Sequence, residues 1–63
     1  MEAYQERVVE EKRRLDGKLK RLKAFTASEK FGEVPAEEQG RMNKQHEVME
    51  AYSNILGERI SAF

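Results

Sequence analysis

Cysteine is missing from this 63-residue chain, and with it go the disulfide frameworks and thiolate zinc sites that hold many small domains together. There is one histidine, His46, which cannot assemble an all-protein metal site without several oxygen partners. No tryptophan is present, and the only proline is Pro35. No apolar run approaches the roughly 20 residues needed to span a bilayer, and "MEAYQERVV" has no apolar core of the kind found in signal peptides. A glycine-rich phosphate loop is absent, as is any Ser–His–acid set with an orienting partner. These absences argue against an enzyme: no catalytic residue, metal or cofactor is expected. A chain this short buries little surface, so without staples self-association is the most economical source of stability.

Charge is balanced overall, with 12 basic and 12 acidic residues, but it is unevenly placed. "KRRLDGKLKRLK" (12–23) carries seven basic groups and one acid, Asp16, whereas from residue 29 onward seven acids face four bases. A nucleic-acid binder of this size is normally net positive, so duplex DNA is not the expected partner.

Two amphipathic helices account for most of what is present. Tyr4, Val8, Leu15, Leu19, Leu22 and Phe25 recur at spacings of three, four and seven, which places them on one face. Met42, Met49, Leu56 and Phe63 recur at strict sevens, and Val48, Tyr52, Ile55 and Ile60 widen that stripe. The spacing predicts a single domain over 1–63, with helices near 2–26 and 35–62 and a connector at 27–34. Within the connector, Ser28 is expected to cap a short turn and Gly32 to end it in the left-handed region. Pro35 fits the first helical position, and Glu37 and Glu38 complement the dipole of the second helix. Phe31 and Val34 should close the end of the hairpin over Phe25 and Leu22.

The fold class is therefore all-α, an antiparallel two-helix hairpin that self-associates into a helical-bundle homo-oligomer. Folding at the connector sets Leu22 opposite Met42, Leu15 opposite Met49, Val8 opposite Leu56 and Met1 opposite Phe63. The first helix lacks an apolar residue at Glu11 and Lys12, opposite Tyr52, so a polar layer of Glu11 or Lys12 with the Tyr52 hydroxyl is expected. The surplus apolar surface predicts an oligomer interface of Val48, Met49, Tyr52, Ser53, Ile55, Leu56, Gly57, Ile60, Ser61 and Phe63. Ser53, Gly57 and Ser61 recur every fourth residue, a strip that admits close approach by another helix. His46 reads as a surface histidine with Glu50 one turn on.

"YQERVVEEKRRLDGKLKRLKAF", "SEKF…VPAEEQGRM" and "Q…MEAYSNILGERI" together resemble a family of small helical-hairpin accessory proteins of tailed phages and prophages. The chain departs from that pattern at Gly17 and Gly40, where strong helix formers are more usual. The resemblance implies a phage-encoded protein acting in the cytoplasm of an infected bacterium, with an accessory role such as neutralising host defence. Other small phage proteins resemble this plan and trap cyclic nucleotides or ADP-ribose derivatives between subunits. A nucleotide ligand would use the basic segment, Arg13, Arg14, Lys18, Lys20 and Arg21, for phosphates, with Tyr4 and Tyr52 to stack on a base. The bland alternative for the basic run is a solvated helix face. The alternative functions are direct inhibition of a host defence protein, such as a CRISPR effector, and a structural or regulatory phage oligomer. The partners expected are a second copy of the chain, a small signalling nucleotide or a defence protein, and no membrane.

Overall fold

A computed structural model describes all residues 1–63. Helix α1 (Ala3–Thr26) and helix α2 (Ala36–Ser61) lie antiparallel, joined by a 3-10 turn at Glu29–Glu33. The result is a rod of 45 × 14 × 13 Å. Neither helix is long and apolar enough to cross a membrane.

The helices start and stop for local reasons. At the head of α1 the Gln5 side-chain oxygen accepts from the Glu2 N–H at 2.8 Å, satisfying a donor that helix geometry leaves free. Pro35 precedes α2 as its N-cap, one position earlier than the sequence suggested, and its carbonyl accepts from the Gln39 N–H. The connector differs from expectation in two places. Ser28 caps nothing: its hydroxyl turns back to donate to the Phe25 carbonyl at 2.6 Å. Gly32 keeps a negative φ, because the 3-10 turn runs through it and ends at extended Val34 instead of a left-handed residue. Phe31 does close the hairpin, its ring edge-on to Phe25 with centroids 6.1 Å apart.

The seam between the helices follows an unbroken alternation of threes and fours. On α1 it runs through Gln5, Val8, Lys12, Leu15, Leu19, Leu22 and Thr26, all buried or half-buried. On α2 it runs through Gln39, Met42, His46, Met49, Ser53, Leu56 and Ile60, again all buried or half-buried. This is the pattern by which two helices keep one narrow seam in contact along their length. Val8, Leu15 and Leu56 form the core cluster, with Met49 and Ile60 packed against it, and Leu56 is only 1% exposed.

Through the middle of the seam the register is the one the sequence suggested, with Val8 and Leu56 in one cluster and Met49 packed against it beside Leu15, and it departs only at the open end. Phe63 meets Tyr4 edge-on at 5.8 Å, in place of Met1, which stays exposed. Leu56 shares its cluster with Leu15 as well as Val8. The polar layer exists, but Ser53, not Tyr52, supplies its α2 member. Lys12 Nζ donates to Ser53 Oγ at 2.8 Å and to Asp16 Oδ2 at 3.1 Å, and Ser53 Oγ donates to Asp16 Oδ1. Adjacent helical residues point about 100° apart, so seating Ser53 in the seam turns Tyr52 out of it.

Candidate functional site

Only five of 63 residues are buried, so most of the chemistry lies on the outer faces. One face carries an open groove of about 500 Å³ lined by Arg7, Glu10, Glu11, Arg14, Leu15, Lys18 and Tyr52. Its size lies within the roughly 300–1,000 Å³ common for small-molecule sites. Arg7, Glu11, Arg14 and Lys18 fall at spacings of four, three and four, so they form a single row beside the seam. Tyr52 reaches the groove from α2 because Ser53 occupies the seam. Leu15 forms the groove's apolar floor while belonging to the core cluster.

The carboxylates in the groove are not equivalent. Glu10 accepts from Arg13 at 2.6 and 2.9 Å and from Arg14 Nε at 2.9 Å. Those hydrogen bonds, Arg13's first and Arg14's second, hold its carboxyl down to about 2. Glu11 makes no ion pair within the chain. Counting Arg13, which shares Glu10 with Arg14, four cations stand against two carboxylates here. An anion able to compete with Glu10 for Arg14 would find a planar, bidentate donor beside a tyrosine ring.

Of the residues expected to bind a nucleotide, the structure brings together Arg14, Lys18 and Tyr52. Arg13 is engaged by Glu10, and Lys20 and Arg21 are exposed outside the groove lining. Tyr4 lies one turn before Arg7, outside the groove lining and packed against Phe63 at the tip of the rod. Arg7, Glu10, Glu11 and Leu15 line the groove without having been expected there. The row at 7, 11, 14 and 18 was the available signal, since it flanks the seam positions 8, 15 and 19 at constant offset.

The residues expected to form an oligomer interface fall into three groups. Ser53 and Leu56 are buried inside the hairpin, and Met49 and Ile60 pack on its core, so the first two offer no surface to another subunit. Gly57 faces the chain's own α1, where a Cβ would meet Lys12 Cε at 3.6 Å. The helix that approaches the small-residue strip is therefore α1 itself, while Ser61 lies exposed at the end of α2. Val48, Tyr52 and Ile55 remain on the outside, 61%, 41% and 53% exposed.

His46 is half-buried on the seam and not a free surface residue: its Nε2 lies 3.5 Å from Glu50 Oε2 and has no hydrogen-bond partner. Glu50 also receives Lys23 Nζ at 3.2 Å, tying the helices together near the connector. No group of three or more His, Asp or Glu side chains is arranged to hold a metal ion.

A family model described as Sequestin matches residues 2–62, nearly the whole chain. No curated protein and no solved structure matches it.

Proposed function

The chain belongs to the Sequestin family, and from that premise we propose that it is a binding protein that sequesters a nucleotide signal. The family's name speaks of sequestration, which is a binding role and not a catalytic one. The ligand we favour is a cyclic nucleotide or an ADP-ribose derivative. One observation supports it most: the Tyr52 ring shares a groove with Arg7, Arg14 and Lys18. A nucleotide needs an aromatic face for its base and fixed cations for its phosphates, and this groove offers both from two different helices. The resemblance to accessory proteins of phages extends the reading to counter-defence: the protein would hold a bacterial immune signal away from its effector. It would do so without chemistry, as an oligomer present in excess of the signal.

The test is direct. Purified protein is heated alone and with each of a panel of cyclic dinucleotides, cyclic mononucleotides and ADP-ribose derivatives. One ligand should raise the melting temperature and be released chemically unchanged on denaturation. Arg14→Ala and Lys18→Ala, both on the exposed face, should abolish the shift while leaving the unliganded melting temperature within a few degrees. A protein that shifts with no member of the panel, yet co-purifies with a defence effector, would overturn the reading in favour of direct inhibition.

A further inference from the structure

The exposed apolar side chains of α2 are not scattered. Val48, Tyr52 and Ile55 stand at spacings of four and three, continued by Gln45 and Arg59 at three and four. They form a second seam about 21 Å long from Gln45 to Arg59, parallel to the one α1 covers. Along one flank lie Lys44, Ala51 and Glu58, at strict sevens and all exposed. Neither Lys44 nor Glu58 forms an ion pair within the chain.

We infer that this seam pairs with the same seam of a second copy, antiparallel, about a two-fold axis beside Ala51 and Tyr52. In that register Val48 packs on Ile55 of the second copy, and Ile55 on its Val48. Lys44 lies opposite the second copy's Glu58, and the reverse pair repeats across the axis. The small Ala51 side chain sits where the two helices come closest. An isologous contact must be self-complementary, and a positive end, a small centre and a negative end satisfy that only when antiparallel. A parallel pairing would leave both charges without an opposite. The occupant is a second copy because the flank charges complement their own reversed order. The hairpin's need points the same way: four buried apolar residues are a thin core for a chain of 63.

The pairing bears on the groove, because Tyr52 belongs to both. A second copy seated on Tyr52 walls the open side of each groove, so two equivalent sites lie astride the axis. The pairing itself rests on the α2 seam and does not depend on what the groove holds.

Single cysteines in this cysteine-free chain report the geometry. Under mild oxidation Ala51→Cys should cross-link efficiently to its counterpart, whereas Gln45→Cys, about 20 Å from its own counterpart in this register, should not. Cross-linking of both variants would overturn the antiparallel register. Cross-linking of neither, or sedimentation of the native chain as a folded monomer throughout the micromolar range, would overturn the pairing. Charge reversal gives a second reading on side chains whose loss leaves the hairpin folded. Lys44→Glu should weaken dimerisation about tenfold, and Lys44→Glu with Glu58→Lys should restore it. A dimer indifferent to the single reversal, or unrescued by the double one, would overturn the proposed contact. Ligand-induced thermal shifts, measured on the same variants, report separately on the nucleotide reading.

Discussion

At the scale of single residues, Lys12, Asp16 and Ser53 do the most specific work. Each donates to or accepts from both of the others, and Ser53 is buried. Truncating Ser53 to alanine leaves the Lys12 ammonium short of a partner in a half-buried place. Ser53→Ala should therefore cost about 1–2 kcal/mol, read as a lower urea midpoint at unchanged slope. The same triad sets a pH dependence. The Ser53 hydrogen bond, and after it that of Lys12, hold the Asp16 carboxyl below its ordinary value of 3.8. A carboxyl depressed by folding contributes stability that is present above that ordinary value and lost as pH falls through the lowered one. Asp16→Asn should accordingly be less stable than the native chain at neutral pH. The gap should close as pH falls below that ordinary value and through the lowered one. A gap that does not change on acidification would show that the carboxylate charge contributes nothing to the layer.

At the scale of the elements, both helices were legible in the hydrophobic spacing, and the connector in its single proline. The rotation of α2 was not. Tyr52 and Ser53 are neighbours, and an apolar pattern favours the tyrosine as the buried one. The structure buries the serine because Lys12 and Asp16, one turn apart on α1, together offer its hydroxyl a donor and an acceptor that a bulky ring would displace. A gap in the α1 stripe at Lys12 was visible, as was the small Ser53 beside Tyr52; that they fill each other depends on the rotation of α2, which spacing alone leaves open. The glycines test the same packing. A Cβ at Gly40 would meet nothing within 4 Å, and one at Gly57 would make ordinary contact with the Lys12 stem. Gly40→Ala and Gly57→Ala should each stabilise by up to about 1 kcal/mol through helix propensity. Gly57→Leu should instead push Lys12 off Ser53 and lower the melting temperature. A rise with leucine would mean that the Lys12 stem does not depend on Gly57.

For the molecule as a whole, stability and assembly are linked. Leu56 is the most deeply buried side chain, at the centre of a very small cluster. Leu56→Asp places an unpaired charge there at a cost of about 3 kcal/mol or more, enough to unfold most of a marginal hairpin. Circular dichroism should show lost helicity at every concentration; retained helicity would mean that the core lies elsewhere. The site was only partly legible at this scale. Arg14, Lys18 and Tyr52 were anticipated from charge density and aromaticity, which mark residue types. Tyr4 and Lys20 were anticipated on the same grounds but lie outside the groove: Tyr4 continues the same row but packs on Phe63, and Lys20, two residues from Lys18, points away from that face. Arg7 and Glu11 fall outside or at the edge of the basic run and became visible only once the seam fixed which α1 row borders Tyr52.

The Tyr4–Phe63 contact puts the first turn of α1 beside the residue just past the C-cap of α2 at one tip of a 45 Å rod, with the Phe25–Phe31 contact at the other. A pull on the two termini therefore acts as a peel and not as a shear. Load falls on one layer of the seam at a time, beginning at the aromatic pair, and each layer opens before the next is strained. Held this way the hairpin should yield at low force, and the Lys12–Asp16–Ser53 layer should appear as a pause partway along the extension. Gripped instead at Tyr4 and at Phe31, near opposite tips, the load would run along α1 alone and bypass the seam, so these contacts would be strained only once that helix itself unravelled.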